Sequence, residues 1–320
     1  YGSRITSVTI PANVTNIGWE AFSRCEYLET VDIQANIETI PEWCFDWCIN
    51  LTSVTIPASV ERIESCAFIF CQNLTDINIR GDNFIVKDKA IYTAGGTTLV
   101  AYPSAREGVV IPNDVTTIGA GAFAGSLVDS ITIPESVTNI GWEAFSRCDH
   151  LETVEILAKV SVIPQSMFAW SQNLTSVTIP ATVTSIERGA FEGCEALTTI
   201  NYAGTKDLWD EIYIDNKNEC LINATINYGN ITEIPTETVN VEASEAANTI
   251  AGLSGRNRVI VTGDCDSNTV SAIGNALKNS GAQILLDLSD VSGLTSIPQG
   301  CFRDSNSLVE ITLPESVTEI

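Results

Sequence analysis

The chain has 320 residues, enough for about two ordinary domains at roughly 150 residues each, and sixteen Lys and Arg against forty Asp and Glu leave a formal charge of −24. Such a surface repels phosphate, which excludes nucleic acid and anionic membrane as natural partners. One histidine, His150, and one methionine, Met167, exclude mechanisms that need paired histidines; no apolar run approaches the roughly 18 residues of a membrane span, so recognition is the expected role.

From the start the chain is periodic. Apolar anchors fall at Ile5, Val8, Ile10, Val14, Ile17, Phe22 and Cys25, again at Leu28, Val31, Ile33, Ile37, Ile40, Phe45 and Cys48, and again at Leu51, Val54, Ile56, Val60, Ile63, Phe68 and Cys71, a step of 23 residues. The first half of each unit is Thr-rich and β-branched, with Val54 and Ile56 alternating against Thr55 until Pro57 stops the ladder, and predicts a strand. The second half, an Ala-Phe-x-x-Cys segment, predicts a short strand and a helix of one or two turns at most. One such unit cannot bury its own apolar edge, so a stacked solenoid is expected.

The pattern Leu-x-x-Val-x-Ile-Pro-x-x-Val-x-x-Ile, then Phe-x-x-Cys, seen in 51–71 and 174–194, resembles the 23-residue leucine-rich repeat of the BspA-like bacterial surface proteins. The resemblance covers nearly the whole chain. It implies a right-handed, β-rich α/β leucine-rich-repeat solenoid on an exported or surface-displayed protein, with adhesion to host proteins, glycans or other cells as its role.

The period fails after Ile79. Residues 81–105 predict a β-hairpin insertion around Gly95-Gly96; the ladder resumes at Val109, Ile111, Val115, Ile118 and Phe123, and three turns follow from Val128, Leu151 and Leu174. Residues 10–33 and 133–156 differ at five of 24 positions, and 50–57 recurs at 173–180 with the same offset of 123, so a three-repeat cassette was duplicated. Residues 197–230 depart again and predict a closing segment for an array spanning 1–230. Pro235 and the Thr/Glu-rich stretch 232–245 suggest a junction. Residues 231–320 then predict a β-α-β-α-β start of a second array: a helix over 244–253 ending near Gly255, a strand at 259–261, a helix over 267–278 ending at Gly281, and a strand over 284–288. Anchors return from Leu294 to Ile320, in mid-repeat, as if the array continued or left one edge bare.

Chemistry is sparse. Cys25, Cys48, Cys71, Cys148 and Cys194 share one repeat position, where other turns carry Ser126, Ser171 or Ser305, and predict small buried thiols; Cys44 and Cys66 lie off that row and could each pair with a neighbour. Asp264, Asp266 and Asn268 imitate half a calcium loop, but Thr269 and Asn275 stand where it needs Gly and Glu, and a helix cap accounts for them. His150 occupies a linker position that is Tyr27 one cassette earlier. No catalytic, cofactor or metal site is expected.

The strand face offers more. With the first, fourth and sixth residues of each unit inward, the rest line one surface: Thr9, Glu29, Asp32, Thr55, Asp76 and Asn78 in the first cassette, Thr132, Glu152, Glu155 and Thr178 in the second. Eight turns at about 4.8 Å predict one Thr/Ser face on the order of 40 Å long with two acidic patches. Glu152 and Glu155 as a glycosidase pair would lack the pocket that chemistry needs. Trp19 and Trp142, and Trp47 and Trp170, match across cassettes and are either rim shields or aromatic anchors for a partner. A protein or glycan partner is therefore expected, with a passive spacer as the alternative and a polysaccharide-active enzyme third.

Overall fold

The structure is a computed structural model and describes residues 3–231, 236–253, 256–280, 282–303, 305 and 307–319. The expected breaks at Pro235, Gly255 and Gly281 and the last anchor, Ile320, lie outside the described residues. The chain forms two compact units, one made of residues 1–158, 162–180 and 185–230 and the other of 159–161, 181–184 and 231–320.

In the first unit each repeat lays down a four-residue strand. Ser7–Ile10, Thr30–Ile33, Ser53–Ile56 and Asp76–Ile79 pair in parallel, in that order. The constant step of 23 sets the register, so Val8 faces Val31, Val31 faces Val54 and Val54 faces Ile77. Val31, Ile33, Val54 and Ile56 are buried with Leu28 and Leu51, as the alternation requires. A phenylalanine column runs beside them, with Phe45 stacked on Phe22 at 5.6 Å and on Phe68 at 5.4 Å. Phe145 likewise stacks on Phe123 at 4.9 Å and Phe168 on Phe191 at 5.3 Å. Aromatic pairs at such separations add about 0.5–1.5 kcal/mol each beyond their buried area.

The turn halves of the 23-residue repeats contain no helix among the described residues, contrary to expectation. Glu20, Arg24, Trp43, Trp47, Cys66 and Phe70 all have left-handed φ between 54° and 59°, a conformation that costs a non-glycine residue about 1–2 kcal/mol and breaks any helical run. The cost is offset by bonding to the next repeat. The Phe22 N–H donates to the Cys44 carbonyl (2.9 Å), Phe45 N–H to Ala67 (2.9 Å) and Trp47 N–H to Ile69 (3.0 Å). Later turns place Gly121, Gly125, Gly189 and Gly193 at the same left-handed positions.

The insertion makes two turns where one was expected. Phe84–Lys87, Ala90–Thr93 and Thr98–Ala101 form an antiparallel meander, turning first at Asp88-Lys89, both at positive φ, and then at Gly95-Gly96. Thr98–Ala101 pairs in parallel with Thr117–Ile118, which pairs with Asn139–Ile140. The insertion thus supplies strands to the row of short second strands, and Tyr102 takes a place beside the phenylalanine column, 5.8 Å from Phe123. Val109 and Ile111, where the ladder of anchors resumes, form no strand. The long strand row is therefore interrupted. It is two sheets: the four strands above, and a second made of Ser130–Ile133, Thr153–Ile156, Ser176–Ile179, Thr199–Gly204 and Thr225–Ile231. The single 40 Å face is replaced by faces about 15 and about 20 Å across at 4.8 Å per strand.

Residues 197–230 do more than close the array. Thr199–Gly204 continues the strand row from Ser176–Ile179, and Tyr213–Ile214 continues the short-strand row from Ser185–Ile186, with the brief helices Lys206–Asp210 and Cys220–Asn223 between and after them. They form one elongated repeat.

In the second unit Thr236–Glu242, Arg256–Asp264, Gln283–Asp287 and Leu308–Thr312 make a parallel sheet, with Ala246–Ala251 and Ser267–Asn279 as its crossover helices. The stretch read as a junction thus contains the first strand. Val270, Ile273, Gly274 and Leu277 form the buried face of the longer helix at helical spacing, where a Cβ on Gly274 would stand 2.3 Å from the Cys301 carbonyl oxygen.

Candidate binding surface

The strand register brings the outward positions into rows. Thr9 faces Asp32, Asp32 faces Thr55 and Thr55 faces Asn78; in the second sheet Thr132 faces Glu155, Glu155 faces Thr178 and Thr178 faces Asn201. Both sheets therefore present Thr, acid, Thr, Asn. Asn201 was not among the expected residues, although its offset of 123 from Asn78 marks it. Thr9, Glu29, Asp76, Asn78, Thr132, Glu152 and Glu155 are exposed, and Asp32, Thr55 and Thr178 half-buried. Asp76 lies in the neighbouring row, where its carboxylate accepts a hydrogen bond from the Ser53 hydroxyl at 2.8 Å.

The two acidic patches differ in their partners. Asp32 accepts from Gln34 Nε2 at 2.7 Å and pairs with the Arg80 guanidinium at 3.3 Å. Residue 203, the cassette counterpart of Arg80, is Ala, and among the described residues no cation pairs with Glu152 or Glu155; Glu155 accepts only from the Thr132 hydroxyl, at 3.3 Å. The first patch is partly neutralised and the second is not.

The tryptophans also separate. Trp19 is 71% exposed, and Trp142 and Trp170 are exposed as well. Trp47 is half-buried, stacked on Phe70 with ring centroids 4.0 Å apart. Where Trp47 has Phe70 as neighbour, Trp170 has Gly193, on which a Cβ would stand 2.7 Å from the indole. Arg24 lies 5.5 Å from the Trp47 ring and Arg147 6.0 Å from the Trp170 ring, within cation–π range.

The cysteines are structural. All ten are free, nine of them buried, so neither Cys44 nor Cys66 is bridged. Four thiols of the shared row donate to the phenylalanine carbonyl of the preceding repeat: Cys48 to Phe22 (3.2 Å), Cys71 to Phe45 (3.1 Å), Cys148 to Phe123 (3.2 Å) and Cys194 to Phe168 (3.1 Å). Ser171 makes the same bond to Phe145 at 2.9 Å, and Cys220, outside the expected row, makes it to Phe191 at 3.1 Å. A row that needs a small donor accepts Cys or Ser, and burial pushes the Cys71 and Cys194 thiols well above their ordinary range and those of Cys48 and Cys148 to about 12. They are poor nucleophiles. Asn50, Asn73 and Asn173 form a second ladder, each side-chain amide donating to a carbonyl 24 residues earlier at 2.6–2.8 Å.

Asp266 caps the helix Ser267–Asn279, its Oδ1 accepting from the Asn268 and Thr269 N–H groups at 3.1 and 2.8 Å, which holds its carboxyl below the usual range. His150 is exposed. Among the described residues no helix is long and apolar enough to cross a membrane.

Stacked parallel strands, inward aliphatic rows and a phenylalanine column define a leucine-rich-repeat solenoid. The chain belongs to the BspA-type leucine-rich-repeat family, whose sequence model matches residues 1–107, 101–219 and 267–320 in six copies. Among solved structures it is similar to the pneumococcal vaccine antigen PcpA, at 18% identity and TM-score 0.53 over 88% of this chain and 68% of that one, a likeness of fold. It also matches a leucine-rich cell-surface protein of Faecalibacterium prausnitzii, at 25% identity and TM-score 0.44 over 65% of this chain and 82% of that one. A leucine-rich-repeat protein of Bacteroides ovatus matches at 20% identity and TM-score 0.34 over 98% and 82%. No curated protein matches the chain.

Proposed function

We propose that the protein is a non-enzymatic, cell-surface or extracellular binding module that engages a protein or glycan of a host or another cell through its exposed strand faces. The observation that carries this is the repeated, in-register row of Thr, acid, Thr and Asn on both sheets. Hydroxyl, carboxylate and amide groups at a fixed spacing of about 4.8 Å on a rigid sheet form a pre-organised polar surface, which lowers the ordering cost of association. Membership of a surface-protein repeat family supports the location. The carboxylates of these rows are solvated and lie on open sheet, which suits docking better than acid–base chemistry.

Screening the purified chain on glycan and host-protein arrays tests the proposal, with Glu29, Asp32, Glu152 and Glu155 all changed to Lys as the comparison. Binding that the four changes abolish is the expected result. Binding that survives all four removes the strand faces as the site, and no ligand at all, with a neighbouring segment of the full-length protein retaining binding, would make the chain a spacer.

A further inference from the structure

A second candidate site lies on the turn side of the first unit. Trp43, Asp46 and Trp47 of one turn, Arg24 of the turn before, Phe70 of the turn after, and Arg147 across the glycine turn at 121–125 line a basin of 380 Å³. The glycine turn packs closely against the turn after: a Cβ on Gly121 would stand 2.4 Å from Cys66 Sγ, and one on Gly125 2.7 Å from the Phe70 ring. Asp46 is the unusual member. Its side chain is buried, at 9% exposure, and Oδ2 accepts from the Ser23 hydroxyl at 3.3 Å while Oδ1 has no hydrogen-bond partner. A buried carboxylate oxygen without a donor is destabilising and rare unless a ligand or water completes it.

The duplicated cassette shows that the fold does not require these groups. At the offset of 123 residues, Trp43 becomes Ser166, Asp46 becomes Ala169 and Phe70 becomes Gly193, whereas Ser23 and Arg24 are kept as Ser146 and Arg147. Ser146 Oγ is buried without a partner where Ser23 has Asp46. Trp43 and Phe70 hold left-handed backbone that costs side chains about 1–2 kcal/mol, and the second cassette relieves the latter with glycine. Trp43, Asp46 and Phe70 are thus groups the repeat can do without, while Arg24 and Trp47 recur as Arg147 and Trp170.

Together they set an apolar aromatic wall, an acceptor lacking a donor and two guanidinium groups around one cavity. Glu20 and Glu143 at its margin bring the local charge near balance against Arg24 and Arg147. Two guanidinium groups disfavour a cationic ligand, and three carboxylates on a chain of −24 disfavour an anion. A neutral ring with one apolar C–H face and hydroxyls that both donate and accept satisfies every wall. We propose that this basin binds a neutral pyranose, one sugar face against the aromatic wall and a hydroxyl donating to the Asp46 carboxylate. The proposal is independent of the strand-face site.

The test uses the whole chain and millimolar methyl pyranosides of glucose, galactose, mannose and N-acetylglucosamine, read by tryptophan fluorescence and saturation-transfer NMR. At least one glycoside is expected to bind, and Asp46→Ala, which copies the residue the sibling turn already carries, is expected to weaken it at least tenfold while raising the midpoint of thermal unfolding at neutral pH. No signal from any glycoside, equal binding by Asp46→Ala, or perturbation by choline or acetate in place of the sugars would each overturn the assignment.

Discussion

Asp46 offers the sharpest energetic test. Burial, partly opposed by the Ser23 hydroxyl and the Arg24 and Arg147 charges, lifts its carboxyl from 3.8 to about 6. The folded protein therefore holds this proton more tightly than the unfolded chain. Below about pH 4 both states carry it and the carboxyl imposes no penalty; between about pH 4 and 6 a penalty grows, and above about 6 it is constant. Two pH units at about 1.4 kcal/mol each give an upper bound near 3 kcal/mol, and water at the basin mouth reduces this to about 1–2 kcal/mol. Asp46→Asn keeps an acceptor for Ser23 and removes the charge. Urea unfolding at pH 8, 7, 6, 5 and 4 should show the variant about 1–2 kcal/mol more stable than the parent at pH 7 and 8, with the gain fading toward zero near pH 4. A variant that is less stable at pH 7, or whose gain does not change with pH, refutes the view of Asp46 as an uncompensated buried acid.

Other outcomes follow from the ladders. Cys71→Ser preserves the second donor to the Phe45 carbonyl and should cost under about 1 kcal/mol, while Cys71→Ala leaves that carbonyl with only the Cys48 N–H, at 3.1 Å, and opens a small cavity, and should cost about 2 kcal/mol by urea titration; equal losses would reduce the row to packing alone. Gly125→Ala combines a left-handed φ of 69° with a contact of 2.7 Å to Phe70 and should lower stability by about 2 kcal/mol or more, whereas Gly18→Ala, with open space at its Cβ, should stay within about 0.5 kcal/mol. Arg80→Ala removes an exposed pair and should change stability by under about 1 kcal/mol, falling with added salt.

Much of this architecture is legible in the residues. A step of 23 with β-branched anchors dictates parallel stacking in register, and the substitution of Ser for Cys along one row marks a small buried group, although only the coordinates show the phenylalanine carbonyl that makes it a donor. Two features resist such inference. Residues 109–111 have the composition of a strand, yet the strands brought by the insertion extend the other row, so the expected continuous face is cut in two. Trp43, Trp47 and Phe70 resemble any aromatic residues of a short helix, and nothing local announces that they sit at left-handed positions best suited to glycine. Asp46 occurs once and has no row to betray it; its signal is the contrast with Ala169 across the duplication. The difference between the acidic patches was also present, as Arg80 against Ala203, but its meaning needed the 3.3 Å contact to Asp32.

That difference sets the most direct measurement of the central claim, that the strand faces carry recognition. Once a ligand is identified on the arrays, its dissociation constant should be measured for Glu152→Lys/Glu155→Lys beside Glu29→Lys/Asp32→Lys. Docking through the unpaired second patch predicts at least a tenfold loss, about 1.4 kcal/mol, for the first pair and a smaller loss for the second, whose carboxylate Arg80 already engages. Unchanged affinity in both double variants would contradict the account.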